Sequence, residues 1–217
     1  MVTTANSLRD QCLGIYVRTN EFYRKVCADH GLPDFGFEVL YGPPILGAEI
    51  LFIGYQPSFA ELDTETARAR GNESGWQPVC EYSSEEWPLA KRMQKMFGVE
   101  LLNRCVGTNA IFVRARNVKE YRAEFKAAHH EIERFCTAEI ETLVEALQPK
   151  CIVAIGLSTL SLFGPVETDR ESPKGRILTK VGKIAGRDAL GVLHLTGARI
   201  SNADRELIAQ RVLAFRT

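Results

Sequence analysis

The sequence predicts a single α/β domain of three layers, αβα, with a central, mainly parallel four-stranded sheet, and three observations carry that prediction. Short continuous apolar runs recur at 50–54, 106–113, 151–155 and 190–194, as expected of strands buried on both faces of a parallel sheet. Helical text precedes each run, the alternation that builds a parallel sheet covered by helices. The chain of 217 residues, 45% hydrophobic and 25% charged, has the size and composition of one globular domain, and it shows no repeat or linker. The domain is therefore taken as 1–217.

Each element has its own justification. Leu8, Cys12, Ile15, Tyr16, Phe22, Tyr23, Val26 and Cys27 fall at mostly helical spacing, which predicts an N-terminal helix at about 5–30 that ends before Gly31 and Pro33. The aromatic, Gly- and Pro-rich stretch 35–44 predicts an irregular lead-in. Ala48 to Gly54 then reads as a central strand. Ile132, Phe135, Cys136, Ile140, Leu143 and Leu147 step by 3, 1, 4, 3 and 4 and are closed by Gln148-Pro149, the clearest helix in the chain. A last helix starts at about Asn202, a good N-cap, with Asp204 and Glu206 in its first turn and Ile208, Val212 and Phe215 as its buried stripe.

Composition excludes several classes. Lys plus Arg and Asp plus Glu are 27 each, so the net charge is zero, and disorder, collagen and coiled coil do not fit. The longest uncharged stretch, Cys151 to Val166, is too short to span a bilayer, and the N-terminal MVTTANSLRDQC lacks a secretory pattern, so a cytoplasmic protein with no membrane partner is expected. The six cysteines form no C-x-x-C pair, and they read as reduced core thiols with no metal and no cofactor. Charge is nonetheless uneven. Residues 170–187 carry six basic groups against Glu171 and residues 114–126 carry five against two acids, whereas 61–86 hold seven acids against two arginines. The two basic segments, in particular Lys174, Arg176, Lys180, Lys183 and Arg114, are candidates to meet a phosphate backbone.

In a parallel α/β sheet, ligands bind at the carboxyl ends of the strands. Those ends are Gly54-Tyr55-Gln56-Pro57-Ser58, Thr108-Asn109, Gly156-Leu157-Ser158 and His194-Leu195-Thr196-Gly197. The first sets a side-chain amide between a Gly that allows close approach and a Pro that stiffens the turn. The second puts an amide inside an apolar strand, where it must be satisfied by protein, water or ligand. The last places one of four histidines just past Gly191-Val192-Leu193.

The order of these elements resembles the uracil-DNA glycosylase-like superfamily. Its pattern is a strand and a G-x-[DN]-P-type loop, an apolar strand bearing Asn, a third strand ending in Gly, and a strand ending in H-P-S. The matching stretches here are Ile50 to Ser58, Val106 to Arg114, Ile152 to Gly156 and Leu193 to Arg199, so the resemblance covers roughly 45–215. It implies a protein that binds single- or double-stranded DNA, flips a damaged base into a pocket and hydrolyses its N-glycosidic bond.

In the roles that the resemblance implies, Gln56 stands at the water-positioning place, Asn109 reads the pyrimidine edge, and His194 hydrogen-bonds the departing base. Gly54, Tyr55, Pro57 and Ser58 form the first loop, Thr196 and Arg199 belong to the second, and Phe59 or Trp76 supplies a ring to stack on the base. Two positions depart from the pattern. A Gln amide cannot act as a general base, so cleavage would rest on stabilising the leaving group. Leu195 and Thr196 replace Pro and Ser, which removes the rigid turn that aims the histidine. These departures support an alternative, a catalytically inactive member of the same fold that binds nucleic acid or a nucleobase. An unrelated α/β enzyme acting on a nucleotide is a third reading, without a P-loop or a G-x-G-x-x-G to support it.

Overall fold

A computed structural model describes residues 3–58, 76, 78–196 and 200–216. The chain enters through α1 (Thr3–His30), followed by β1 (Leu51–Gly54), α2 (Glu81–Ser84), α3 (Pro88–Phe97), α4 (Val99–Leu102) and β2 (Val106–Asn109). It continues through α5 (Val118–Glu124), a 3₁₀ turn, α6 (His129–Leu147), β3 (Ile152–Ile155) and α7 (Leu157–Leu160). Strands β4 (Glu167–Glu171), β5 (Ile177–Ile184) and β6 (Arg187–Val192) and helix α8 (Asn202–Phe215) complete it. No helix among the described residues is long and apolar enough to cross a membrane.

The α/β class holds, and the four expected strands are parallel neighbours, but the sheet is larger and mixed. Its six strands run in the order β2-β1-β3-β6-β5-β4, with β1 parallel to β2 and β3, and β3 parallel to β6. Strands β5 and β4 then pair antiparallel. The expectation of four strands and of helical text before the last one is thus corrected: β6 follows β5 through the two-residue turn Ala185–Gly186. Both residues have positive φ, 51° and 73°, the backbone of a type I′ hairpin. The segment 170–187, expected as basic loops, is mostly this pair of strands. Their exposed, charged side chains on β4 also discourage pairing by a foreign strand at that edge.

Period-two alternation sorts the core into two faces. Leu51, Ile53, Ile152 and Ala154 join a cluster with α1 and α6, through Ile15, Val26, Ile132, Ile140 and Leu143. Phe52, Val153, Ile155, Leu190 and Val192 join a second cluster with Met93 of α3 and with Ile208 and Val212 of α8. The N-terminal helix is fixed to α6 by stacked Phe22 and Phe135 rings 3.9 Å apart and by a bidentate Arg18–Glu139 pair at 2.7 Å. Helix α6 ends at Gln148, which takes the left-handed conformation at φ 47° before Pro149. The cap of α8 is Ser201 rather than Asn202. Its hydroxyl accepts the Asp204 N–H, and the Asp204 carboxylate accepts the Ser201 N–H, forming a capping box.

The lead-in at 35–44 covers the open edge of β2. Phe37 bridges Val113, Leu40 bridges Thr108, and the Tyr41 N–H donates to the Gly107 carbonyl at 2.9 Å. This accounts for the shortness of β2, expected over 106–113 but regular only to Asn109. Residues 110–113 leave the ladder while staying fully buried under this cover. The cysteines are free, and all but Cys27 are buried. Burial pushes the thiols of Cys12 and Cys80 up to about 11 and those of Cys105, Cys136 and Cys151 up to about 12, so they stay protonated at neutral pH.

Candidate functional site

Because β1, β2, β3 and β6 are parallel, their carboxyl ends open on one edge of the sheet. Gly54 lies opposite Asn109 in the β1–β2 register, and the loop that follows keeps pace with the partner chain. The Ala110 N–H donates to the Gly54 carbonyl at 2.8 Å and the Ile111 N–H to the Tyr55 carbonyl at 2.9 Å. His194 follows β6, two strand spacings from β1, which is about 10 Å across the sheet. Gln56, Asn109 and His194 therefore all follow carboxyl ends on the same edge.

Asn109 is the most constrained of the three. It is buried, and its Nδ2 donates to the Tyr41 hydroxyl at 2.6 Å. A Cβ built on Gly54 would collide with Asn109 Oδ1, while the next nearest atoms lie at 3.5 and 3.7 Å. Glycine at 54 is thus required by the amide that lies over it, not by an unusual backbone angle. Burial holds the Tyr41 hydroxyl well above its ordinary range, so it remains a neutral donor and acceptor beside that amide. Tyr41 was not among the residues singled out from the sequence. Nothing in an aromatic, Pro-rich lead-in marks a partner for a residue 68 positions away.

Gln56 has a structural task. Its Oε1 accepts the Ala115 N–H at 3.1 Å and its Nε2 donates to the Ala115 carbonyl at 3.4 Å, which fastens the first loop to the segment after β2. Pro57 is buried beside it, with its carbonyl accepting the same Ala115 N–H at 3.3 Å, while Ser58 is exposed. Tyr55 is half-buried, edge-on to Tyr121 at 6.3 Å, and the Arg122 guanidinium lies over its ring at 5.7 Å.

At the other end of the edge, Thr196 Oγ1 lies 3.0 Å from His194 Nδ1. When the hydroxyl donates, Nδ1 is an acceptor and the imidazole proton sits on Nε2. Surrounding protein lowers the pKa of His194 from the ordinary histidine value by desolvation, which favours the neutral ring, although the side chain keeps access to solvent. The rigid turn missing from the sequence pattern has a replacement. Leu195 is buried in the core, and Arg205 of α8 donates from Nε to its carbonyl at 3.4 Å.

Several expected contributors are not brought to this edge. Trp76 packs against α1, edge-on to Tyr16 at 6.0 Å and covered by the Arg9 guanidinium at 5.2 Å, so its ring is already engaged. Phe59 and Arg199 lie outside the described residues. Arg114 is buried and paired with Glu38 at 2.8 Å, which withdraws it from any phosphate. The register of β5 splits the remaining basic residues. Lys174 and Arg176 lie in or beside the turn next to the carboxyl end of β6. Lys183 is at the opposite end, paired with Asp188 at 3.2 Å. A cavity of about 360 Å³ also lies at that opposite end, lined by Pro149, Lys150, Ile152, Arg187, Asp188 and Phe215, and it holds none of the expected site residues.

No protein-family model and no curated protein matches the chain.

Proposed function

We propose that the protein binds DNA and receives a base, extruded from the stack, at the carboxyl ends of β1, β2 and β6, where the N-glycosidic bond of uracil or another damaged base is hydrolysed. The observation that carries this reading is the Gly54–Asn109 contact beside the loop, on the same edge as the His194–Thr196 pair. An amide held over a glycine presents fixed hydrogen-bonding groups to a pyrimidine edge. A neutral imidazole with its proton on Nε2 is the donor suited to negative charge growing on a leaving base. Hydrolysis then proceeds by leaving-group stabilisation, since the Gln56 amide neither takes a proton nor is free of Ala115.

The commitment of Gln56 also favours a second reading, recognition of nucleic acid or a nucleobase without cleavage. The experiment that separates them incubates purified protein with single- and double-stranded oligonucleotides carrying uracil or another altered base. Abasic product forming over many turnovers supports cleavage. Selective binding of the altered oligonucleotide without product supports the second reading, and absence of binding at low salt refutes both.

A further inference from the structure

We propose that Arg92 of α3 and Arg205 of α8 form a phosphate-binding site beside the His194 loop, and that it takes a backbone phosphate of the strand whose base is bound. The strand as the source of that phosphate rests on the DNA reading above; the site itself does not.

Arg205 is tied to the loop. Its Nε donates to the Leu195 carbonyl at 3.4 Å and one terminal nitrogen donates to Asn202 Oδ1 at 2.9 Å, which leaves the guanidinium without a carboxylate partner. Arg92 lies on the helix packed against α8, and its Nε is buried with no hydrogen-bond partner. The two like charges oppose one another: desolvation and then Arg92 depress the Arg205 guanidinium, while Asp204 acts the other way. That carboxylate is already used, accepting the Ser201 N–H at 3.3 Å in the capping box.

Elsewhere the fold neutralises its arginines directly. Arg18 ends on Glu139 at 2.7 Å, Arg114 on Glu38 at 2.8 Å, and Arg211 on Asp169 at 2.8 Å. Two neighbouring guanidinium groups without such a partner, one with an orphaned donor, form a site complementary to an oxyanion. The planar fork of an arginine matches phosphate oxygens in pairs. Their place selects the kind of phosphate. Arg205 grips the residue between His194 and Thr196, so a base held at His194 brings its own sugar-phosphate toward the pair.

The test follows arginine Nε–Hε signals by NMR in the whole protein, assigned with Arg92→Lys and Arg205→Lys, during titration with inorganic phosphate and separately with a short single-stranded oligonucleotide. Both signals should move and saturate with each probe. In anisotropy measurements, Arg92→Met should weaken oligonucleotide binding on the order of tenfold, as for loss of a charge-assisted bond. It should also flatten the dependence of log affinity on log salt by about 0.7. Signals that respond to phosphate but not to the oligonucleotide overturn the strand as the source. Oligonucleotide binding that leaves both signals still overturns the site while the DNA reading stands. Should Arg205→Lys fail to fold, Arg92→Lys carries the test, because Arg92 has no bond in the fold to lose.

Discussion

Replacing Gly54 by Ala should dislodge Asn109 and cost far more than a buried methyl group normally does. The new Cβ would occupy the position of Asn109 Oδ1, so the amide must swing away and release the 2.6 Å hydrogen bond to Tyr41. Leaving a buried polar group unsatisfied costs about 1–3 kcal/mol, and forcing volume into a packed core costs about 1–3 kcal/mol more. The expected loss is therefore about 2–5 kcal/mol. Asn109→Ala alone should cost about 1–3 kcal/mol, through the Tyr41 hydroxyl that it strands. In that background the nearest remaining atom to the new Cβ is the Thr108 carbonyl oxygen at 3.7 Å, an ordinary contact, and Gly54→Ala should then cost less than about 1 kcal/mol. Urea unfolding of wild type, both single variants and the double variant measures the coupling directly. A Gly54→Ala cost that is the same in both backgrounds would refute the contact.

The other predictions concern His194, Gln56 and Asp169. If the protein cleaves, His194→Ala should reduce the rate by about 10²–10³, the scale of losing one donor to developing negative charge. The lowered imidazole pKa should also place the acid limb of kcat/KM below about pH 6.5, and an unchanged rate in the variant would remove His194 from the mechanism. Gln56→Ala should lower stability by about 1–3 kcal/mol, two net hydrogen bonds to Ala115, and a variant as stable as wild type in urea would show that the clamp contributes nothing. Asp169 bonds Arg211 and the Thr179 hydroxyl, which hold its carboxyl below the usual range. A depressed folded pKa means that its contribution is complete above the unfolded pKa, near about 4, and is lost as pH falls through the folded value. The stability gap between wild type and Asp169→Asn should thus be full at pH 6 and close in stronger acid. A gap that does not change with pH would mean that the ion pair does not act.

The parts of the fold legible in the sequence were those written in continuous hydrophobic pattern. Strands β1 and β3 and helices α1, α6 and α8 appear within a few residues of the boundaries read from periodicity, because each buries a stripe or both faces. Strands β4 and β5 were hidden because an edge strand faces solvent. Glu167–Glu171 is almost wholly exposed and charged, so its composition is that of a loop. The signals that would have found the hairpin are local ones: Leu178, Val181 and Ile184 among polar residues, and the Ala-Gly and Ser-Pro-Lys-Gly turns on either side of β5.

The site divides in the same way. Parallel strands separated by crossovers open their carboxyl ends on one edge, so the sequence by itself determined that the loop after β1, the Asn of β2 and the His after β6 share that edge. It did not determine what each side chain does there, because partners distant in sequence leave no trace in local pattern. Only the tertiary structure set Tyr41 on Asn109, Ala115 on Gln56, Glu38 on Arg114 and Arg9 on Trp76. Each of these contacts spends hydrogen-bonding capacity or charge that residue type alone would leave open to a ligand. In the same manner the fold placed Arg92 and Arg205 together without a carboxylate between them. Charge counted along a chain whose net is zero says nothing about which of its charges the packing leaves uncompensated.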